Sequence, residues 1–162
     1  MEQASATAGN NQRATLPIFY SRPRPLDAVG DRGRSLPVSD FRLAHGTNSV
    51  LLGAAEFPWV MRSYPVVFTS REPRVAVAGL GLEGNENLSV GEDGRWREGD
   101  YIPAYVRRYP FIFLEQPDKN GLTLGVDEAC RLLTQSKDRL LFAAGEPTTG
   151  AAVAGCGLSI VT

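Results

Sequence analysis

The sequence predicts an α+β fold, with a mostly antiparallel sheet and short helices, and three observations support that expectation. First, 162 residues, of which 43% are hydrophobic and 22% charged, are typical of one globular domain. Second, an internal repeat spans two segments of the chain. Third, each copy carries two prolines at positions that would begin and end a short helix. We therefore expect one domain at 16–147, a disordered tail at 1–15, and a Gly/Ala-rich, poorly ordered tail at 148–162.

The sequence of residues 1–35 predicts a disordered tail, one strand and one loop. Residues 1–15 carry no large apolar side chain after Met1, so burial cannot offset the entropy cost of ordering them. The apolar run at 16–20 predicts an edge strand. Prolines and glycines at 21–35 disfavour regular structure, so the arginines of this stretch are predicted to lie in a solvated loop.

The internal repeat aligns residues 57–68 with residues 102–113 without a gap, and Pro, Arg, Tyr, Pro and Phe recur in register. Pro58 and Pro103 suit the first turn of a helix, where the missing N–H has no partner to lose. The second proline of each copy disfavours the α region for the tyrosine before it. Each helix is therefore expected to end after about two turns.

Two strands are predicted to follow each helix, because apolar, β-branched and aromatic runs alternate there with polar turns. The repeat thus predicts two helix–strand–turn–strand units, at about 56–82 and 101–127, that form one sheet with helices on one face. Copies of this kind should superpose, with Tyr64 equivalent to Tyr109. The predicted strand pairs are 66–69 with 74–82 and 111–114 with 121–127, the latter joined by a turn at 117–121.

Two shorter segments complete the prediction. The sequence Gly-Glu-Asp-Gly at 91–94 has too few oxygen ligands for a calcium loop and predicts a hairpin turn. The apolar spacing at 128–134 predicts a short helix with its leucines facing inward.

The net charge, the length of the apolar runs and the numbers of cysteine and histidine residues argue against several classes of function. A formal net charge of −1 argues against a nucleic acid partner or an anionic membrane surface. No run reaches the ~18 apolar residues of a membrane span, and no signal peptide pattern opens the chain, so a cytoplasmic location is expected. Two cysteines and one histidine cannot supply a four-ligand Cys/His zinc site, so neither a metal nor another cofactor is expected.

Three residues are candidates for acid–base chemistry, each with a structural alternative. His45, the only histidine, could act as a general base, but no nucleophile motif accompanies it. Glu56 stands two residues before the first helix proline, where a carboxylate favours the helix N-terminus, so capping is its simpler role. Glu56 and Asp127 could also work as a pair of carboxylates.

Three further residues are candidates for ligand binding. Arg62 and Arg107, the repeated arginines, are predicted to pair with an acid such as Glu56, Asp127 or Glu128, or alternatively to contact a ligand. Trp96 belongs to an aromatic set that fits either the core or a sugar-stacking face. That set comprises Trp59, Trp96, Tyr101, Tyr105 and Tyr109.

A series of motifs extends from residue 16 to residue 147. It includes Leu-Pro-Ile-Phe-Tyr at 16–20, Gly-Arg-Trp at 94–96, Tyr-Ile-Pro-Ala at 101–104, Arg-Tyr-Pro-Phe at 108–111 and Gly-Glu-Pro at 145–147. In these motifs and their order the chain resembles the bacterial SapC-like proteins, a family named for an association with surface-layer formation. The resemblance brings no catalytic residues with it. Members of the family continue well past the Gly-Glu-Pro motif, so this chain is expected to be truncated or frame-shifted.

The sequence favours a non-enzymatic accessory or interaction protein, which the resemblance links to surface-layer or cell-envelope processes. Two alternatives stay open: a peptide- or glycan-processing enzyme, and a small-molecule binding module. The expected partner is another protein. Because 148–162 is small and Gly-rich, it is expected to leave one apolar sheet face uncovered and so to favour self-association.

Overall fold

The structure is a computed structural model that describes residues 16–36, 40–116, 121–135, 140–143 and 146–147. Its helices are α1 (Phe57–Val60) and α2 (Ala104–Arg107), with single 3-10 turns at Arg42–Ala44 and Ala54–Glu56. In chain order the strands are β1 (Pro23–Pro25), β2 (Arg34–Ser35), β3 (Ser49–Leu51), β4 (Val66–Phe68), β5 (Ala76–Gly79), β6 (Phe111–Gln116), β7 (Gly121–Asp127), β8 (Thr134–Gln135), β9 (Phe142–Ala143) and β10 (Glu146–Pro147).

The strands form two three-stranded antiparallel sheets, in the orders β3-β5-β4 and β1-β7-β6, and two small strand pairs, β2-β8 and β9-β10. The predicted α+β class with mostly antiparallel sheet is confirmed. The prediction of one sheet across both units is wrong. Each hairpin instead recruits its third strand from the chain before it, because β3 pairs with β5 and β1 pairs with β7.

The edge strand of the second sheet lies at Pro23–Pro25, whereas residues 16–20 form a turn, so the strand predicted at 16–20 is wrong. The carbonyl of Arg22 accepts a hydrogen bond from Glu128, and the N–H of Leu26 donates to Leu124. Because alternate residues of a strand face the partner, both prolines point their backbone away from β7. Proline is tolerated at such edge positions since no ladder hydrogen bond is lost.

Both predicted helices are present, but each contains only one turn. Pro58 is the second residue of α1, and Pro103 is the residue immediately before α2. The helix predicted at 128–134 is wrong. There the N–H of Ala129 bonds to the Asp127 side chain and the N–H of Cys130 to the Asp127 carbonyl, so the chain turns and then enters β8.

Both units run in the order helix, strand, strand, as the repeat predicts. The two copies differ in burial: Phe68 is 63% exposed, whereas Phe113, at the same position of the second copy, is half-buried. The superposition of the two copies stays a prediction. The hairpin turn at 91–94 is confirmed: the N–H of Gly91 bonds to the Arg95 carbonyl, and Gly94 has a φ of 80° that suits glycine.

The larger core packs the inner face of the first sheet against α1, α2 and the segment that ends at Trp96. A smaller core packs Phe111, Val126 and Leu141 beside the second sheet. The tails at 1–15 and 148–162 and the turn at 117–120 lie outside the described residues. The buried members of the larger core are Ala44, Val50, Leu52, Val60, Tyr64, Ala76, Ala78, Leu80, Val90, Trp96, Tyr105 and Val106.

Candidate functional site

The carboxylate of Glu56 joins the two helix–strand units. Its Oε1 accepts hydrogen bonds from the N–H of Ala104 at 2.7 Å and from the hydroxyl of Tyr101 at 3.2 Å. Its Oε2 accepts from the N–H of Gly53 at 3.0 Å. Glu56 was expected to cap the helix that follows it, and instead it closes its own 3-10 turn and caps α2.

Arg107 belongs to the same group, but it is exposed and pairs with no carboxylate in the described part of the chain. Its Nη2 donates to the Tyr101 hydroxyl at 2.9 Å, and its guanidinium lies 5.3 Å from the centre of the Tyr101 ring. The predicted direct ion pair of Arg107 is therefore wrong, because Tyr101 stands between it and Glu56. Burial and the charge of Glu56 raise the pKa of Tyr101, and the charge of Arg107 opposes that rise.

Asp127 ends β7 with a fully buried side chain that accepts four hydrogen bonds. Oδ1 accepts from the N–H of Arg22 at 2.8 Å and from that of Ala129 at 3.1 Å. Oδ2 accepts from the N–H of Ser21 at 3.0 Å and from the Tyr109 hydroxyl at 3.3 Å. The carboxylate is thus satisfied by three backbone N–H groups, two of them from the chain before β1, and by one hydroxyl, and no described cation lies within ion-pair distance of it.

An aromatic cluster surrounds Arg108 beside Asp127. The guanidinium carbon lies 4.2 Å from the ring centre of Tyr105 and 5.8 Å from that of Tyr20, and the Arg108 Nε is buried without a hydrogen-bond partner. Burial raises the pKa of Tyr20 and Tyr109 well above its usual value. Desolvation is also the main cause that raises the pKa of the buried Cys130 thiol.

A second fully buried carboxylate was not among the predicted site residues. Arg24 binds Asp31 with two hydrogen bonds, of 2.8 Å and 2.5 Å, and the Nε of Arg34 lies 3.4 Å from the same carboxylate. Burial alone would raise the pKa of Asp31. The hydrogen bonds from Arg24 and from the backbone N–H of Asp27, together with the charges of Arg24 and Arg34, outweigh burial and lower that pKa. The prediction of a solvated arginine loop is therefore wrong for Arg24 and Arg34, which are about one-third exposed.

The remaining predicted residues form no hydrogen bond or ion pair with Glu56 or Asp127 in the described part of the chain. His45 is exposed at the end of the first 3-10 turn, and Arg62 is exposed just after α1. Trp96 is buried, donates its indole N–H to the Tyr64 hydroxyl at 2.8 Å, and meets Phe41 edge to face. Trp96 therefore belongs to the core, whereas Trp59 is 57% exposed.

The structure thus brings Glu56 and Arg107 together and places Asp127 in a different group, on the other sheet. Sequence reasoning missed Tyr20 and Arg108, although both lie in motifs that the sequence presents clearly, at 16–20 and 108–111. Among the described residues, no three His, Cys, Asp or Glu side chains are grouped closely enough to hold a metal ion. No helix in those same residues has the length and apolar character needed to cross a membrane.

Comparison with models of known protein families identifies the family of this chain. The family model described as SapC matches residues 33–153, about three quarters of the sequence. The chain belongs to the SapC family. The SapC match includes Glu56, Arg107 and Asp127 but begins after Tyr20 and Arg24, so the buried Asp127 takes two of its donors from outside the matched region. No curated protein and no solved structure matches the chain.

Proposed function

We propose that this SapC-family chain is a non-enzymatic interaction protein that binds a protein partner in surface-layer or cell-envelope processes. The supporting observation is an apolar outer face on the sheet β3-β5-β4. Leu51, Val77 and Val67 are register partners across the three strands, so their side chains share one face. Leu51 is 41% exposed and Val67 49% exposed.

The opposite row of the same sheet shows which face is buried. Val50 and Ala78 are 1% and 0% exposed, and both pack into the larger core. A soluble sheet with one buried face normally carries polar residues on the other, because those positions contact water. Apolar residues on the outer row favour a surface that is covered by another protein.

The bonding of the two carboxylates weighs against catalysis. A general base must have a lone pair available for the proton that it abstracts. Glu56 and Asp127 accept three and four hydrogen bonds from their own chain, and most of these bonds join segments distant in sequence. His45 makes no described side-chain contact with either residue. These contacts support structural roles for both acids.

A binding experiment with full-length chain tests the proposal. Leu51→Ser together with Val67→Ser removes the outer face, and Leu122→Ser is the matched control, since Leu122 is 49% exposed on β7 of the other sheet. We expect the chain to bind a solubilised bacterial envelope protein fraction, with at least about tenfold weaker binding by the double variant and unchanged binding by the control. Equal binding by all three proteins, or no binding by any, would overturn the proposal.

The cluster around Arg108 supports a second candidate, a small-molecule binding module. A buried guanidinium nitrogen without a partner, beside the Tyr20 and Tyr105 rings, fits a compact anion such as a carboxylate. Calorimetric titration with acetate and with inorganic phosphate tests this candidate. Saturable binding that Arg108→Lys weakens supports it, and absence of heat with both anions contradicts it.

A further inference from the structure

We propose that the side chain of Tyr20 occupies a binding site for a small aromatic carboxylate, and that segment 16–20 must move aside before such a ligand binds. This site deepens the second candidate function and rests on it, because its anion-binding group is Arg108. Tyr20 is only 5% exposed, and its hydroxyl donates a hydrogen bond to the Phe111 carbonyl at 2.5 Å. The protein's own phenol ring therefore fills the site.

The surroundings of the Tyr20 ring suit an aromatic ligand. Its centre lies 5.4 Å from that of the Tyr109 ring, and the two planes meet at 61°. That distance and that tilted arrangement are favourable for aromatic pairs. The guanidinium carbon of Arg108 lies 5.8 Å from the Tyr20 ring centre, within the range of a cation–π contact. A ligand ring in the place of the Tyr20 ring keeps both contacts.

Arg108 offers a binding group that Tyr20 leaves unused. Its Nε is buried without a hydrogen-bond partner, and no carboxylate in the described part of the chain forms an ion pair with it. Burial raises the pKa of Tyr20, the charge of Arg108 opposes that rise, and the charge of Asp127 adds to it with a smaller effect. Arg108 thus favours a negative charge beside the Tyr20 ring, and a carboxylate supplies acceptor oxygens for its free N–H.

The segment that carries Tyr20 is held with backbone strain. Phe19 has a φ of 80°, in the left-handed region that a bulky side chain rarely adopts. Its ring centre lies 5.8 Å from that of Tyr105 and 6.4 Å from that of Tyr109. Such a conformation persists only where the surrounding contacts impose it, and it is concentrated at ligand clamps and switch regions. Release of the segment removes this strain and leaves the Arg108 guanidinium open to a ligand.

Few backbone contacts oppose the release of residues 16–20. Among the described residues, their only backbone–backbone hydrogen bond is local, from the N–H of Tyr20 to the carbonyl three residues before it. The Tyr105 hydroxyl reaches the Ile18 carbonyl only at 3.4 Å. The next two residues are held more firmly, because both donate their N–H groups to Asp127. The segment therefore opens about a hinge that follows residue 20.

Occupation by Tyr20 lowers the apparent affinity of the site. The ligand binds only those molecules in which Tyr20 has left, so the apparent dissociation constant is the intrinsic one divided by their fraction. Removal of the Tyr20 side chain brings this fraction close to one. Tyr20→Ala should therefore bind the ligand more tightly than wild type does.

Calorimetric titration of the full chain tests the inference with para-hydroxyphenylacetate as the probe. Tyrosol, a neutral alcohol of nearly the same shape, shows whether the carboxylate is recognised. We expect Tyr20→Ala to bind para-hydroxyphenylacetate at least about tenfold more tightly than wild type does, and at least about tenfold more tightly than it binds tyrosol. Addition of Arg108→Met to this variant should remove the preference for the carboxylate. Tyr64→Ala is the matched control, because Tyr64 is 7% exposed in the larger core and its loss should create no carboxylate site.

Circular dichroism establishes that each variant is folded, and Tyr20→Leu takes the place of Tyr20→Ala if the latter is not. Equal affinity of the Tyr20 variant for para-hydroxyphenylacetate and tyrosol would indicate a simple apolar cavity and overturn the inference. Equal affinity of wild type and variant for para-hydroxyphenylacetate would overturn it as well. If acetate binds both proteins alike and the aromatic ring adds nothing, the inference fails while the anion site at Arg108 stands. No envelope protein is present, so the proposed protein partner is tested separately.

Discussion

Glu56 and Ala104 are 48 residues apart in sequence, yet the carboxylate of the first bonds to the backbone N–H of the second at 2.7 Å. The bond connects the 3-10 turn before α1 to the first residue of α2. Because the first N–H groups of a helix have no partner within it, an acceptor from elsewhere stabilises both the helix and the approach of the two segments. One acidic side chain therefore fixes the relative placement of the two helices.

Replacement of Glu56 should destabilise the fold. Glu56→Ala removes the acceptor for two backbone N–H groups and the Tyr101 hydroxyl, so we expect the free energy of unfolding to fall by about 2 kcal/mol. Urea denaturation followed by circular dichroism measures this change. Glu92→Ala, at an exposed glutamate, is the control and should alter stability by less than about 0.5 kcal/mol. Unchanged stability in Glu56→Ala would contradict the structural role of this carboxylate.

Asp127→Asn should also destabilise the protein, for a different reason. Both carboxylate oxygens accept two hydrogen bonds, so an amide group of either orientation sets its NH₂ against donors such as Ser21 or Arg22. An unsatisfied buried donor pair costs about 1–3 kcal/mol. The same urea experiment measures it, with the exposed Asp93→Asn as control. A variant as stable as wild type would show that Asp127 is free for another role.

The match between sequence and structure depends on whether a feature is local. β7 at Gly121–Asp127 has the bounds that the sequence predicts, because its apolar alternation and flanking turn residues lie in one short segment. β1 was missed, since proline excludes a central strand but not an edge strand, and the edge exists only once β7 is in place. Asp127 was recognised, but its donors Ser21 and Arg22 lie more than 100 residues away, and no local pattern could have paired them.

Arg24→Met should lower the free energy of unfolding by about 2 kcal/mol. That is less than the loss of about 3–5 kcal/mol that follows when a wholly buried ion pair is broken. The variant leaves the buried carboxylate of Asp31 with Arg34, at 3.4 Å, and with the hydrogen bond from the N–H of Asp27 at 2.9 Å. Solvent that reaches the partly exposed Arg24 side chain already weakens the pair in wild type. Thermal unfolding at pH 7 measures the loss. Arg95→Met is the matched control, because the pair of Arg95 with Asp93 is exposed and should contribute little.

The pH dependence of stability follows from the lowered pKa of Asp31. The unfolded state binds this proton with a pKa of about 3.9, so the contribution of the carboxylate is complete above about pH 4 and is lost as the pH falls through the lower folded-state pKa. We expect urea midpoints to fall between pH 4 and pH 2. In Asp31→Asn that part of the acid dependence should disappear. An unchanged pH profile in this variant would show that Asp31 does not contribute to acid unfolding.

Tyr64→Phe tests the assignment of Trp96 to the core. The Tyr64 hydroxyl accepts the Trp96 indole N–H at 2.8 Å, and the two residues are 7% and 8% exposed. Loss of the hydroxyl leaves a buried N–H without a partner, which costs about 1–3 kcal/mol. The urea midpoint should fall accordingly, and the near-ultraviolet circular dichroism of the indole should change. Tyr105→Phe is the control, since its hydroxyl makes only a 3.4 Å contact with the Ile18 carbonyl and should cost less. If Trp96 instead formed part of a sugar-stacking face, Tyr64→Phe would leave stability unchanged and an added oligosaccharide would alter the fluorescence of a Trp59→Phe variant.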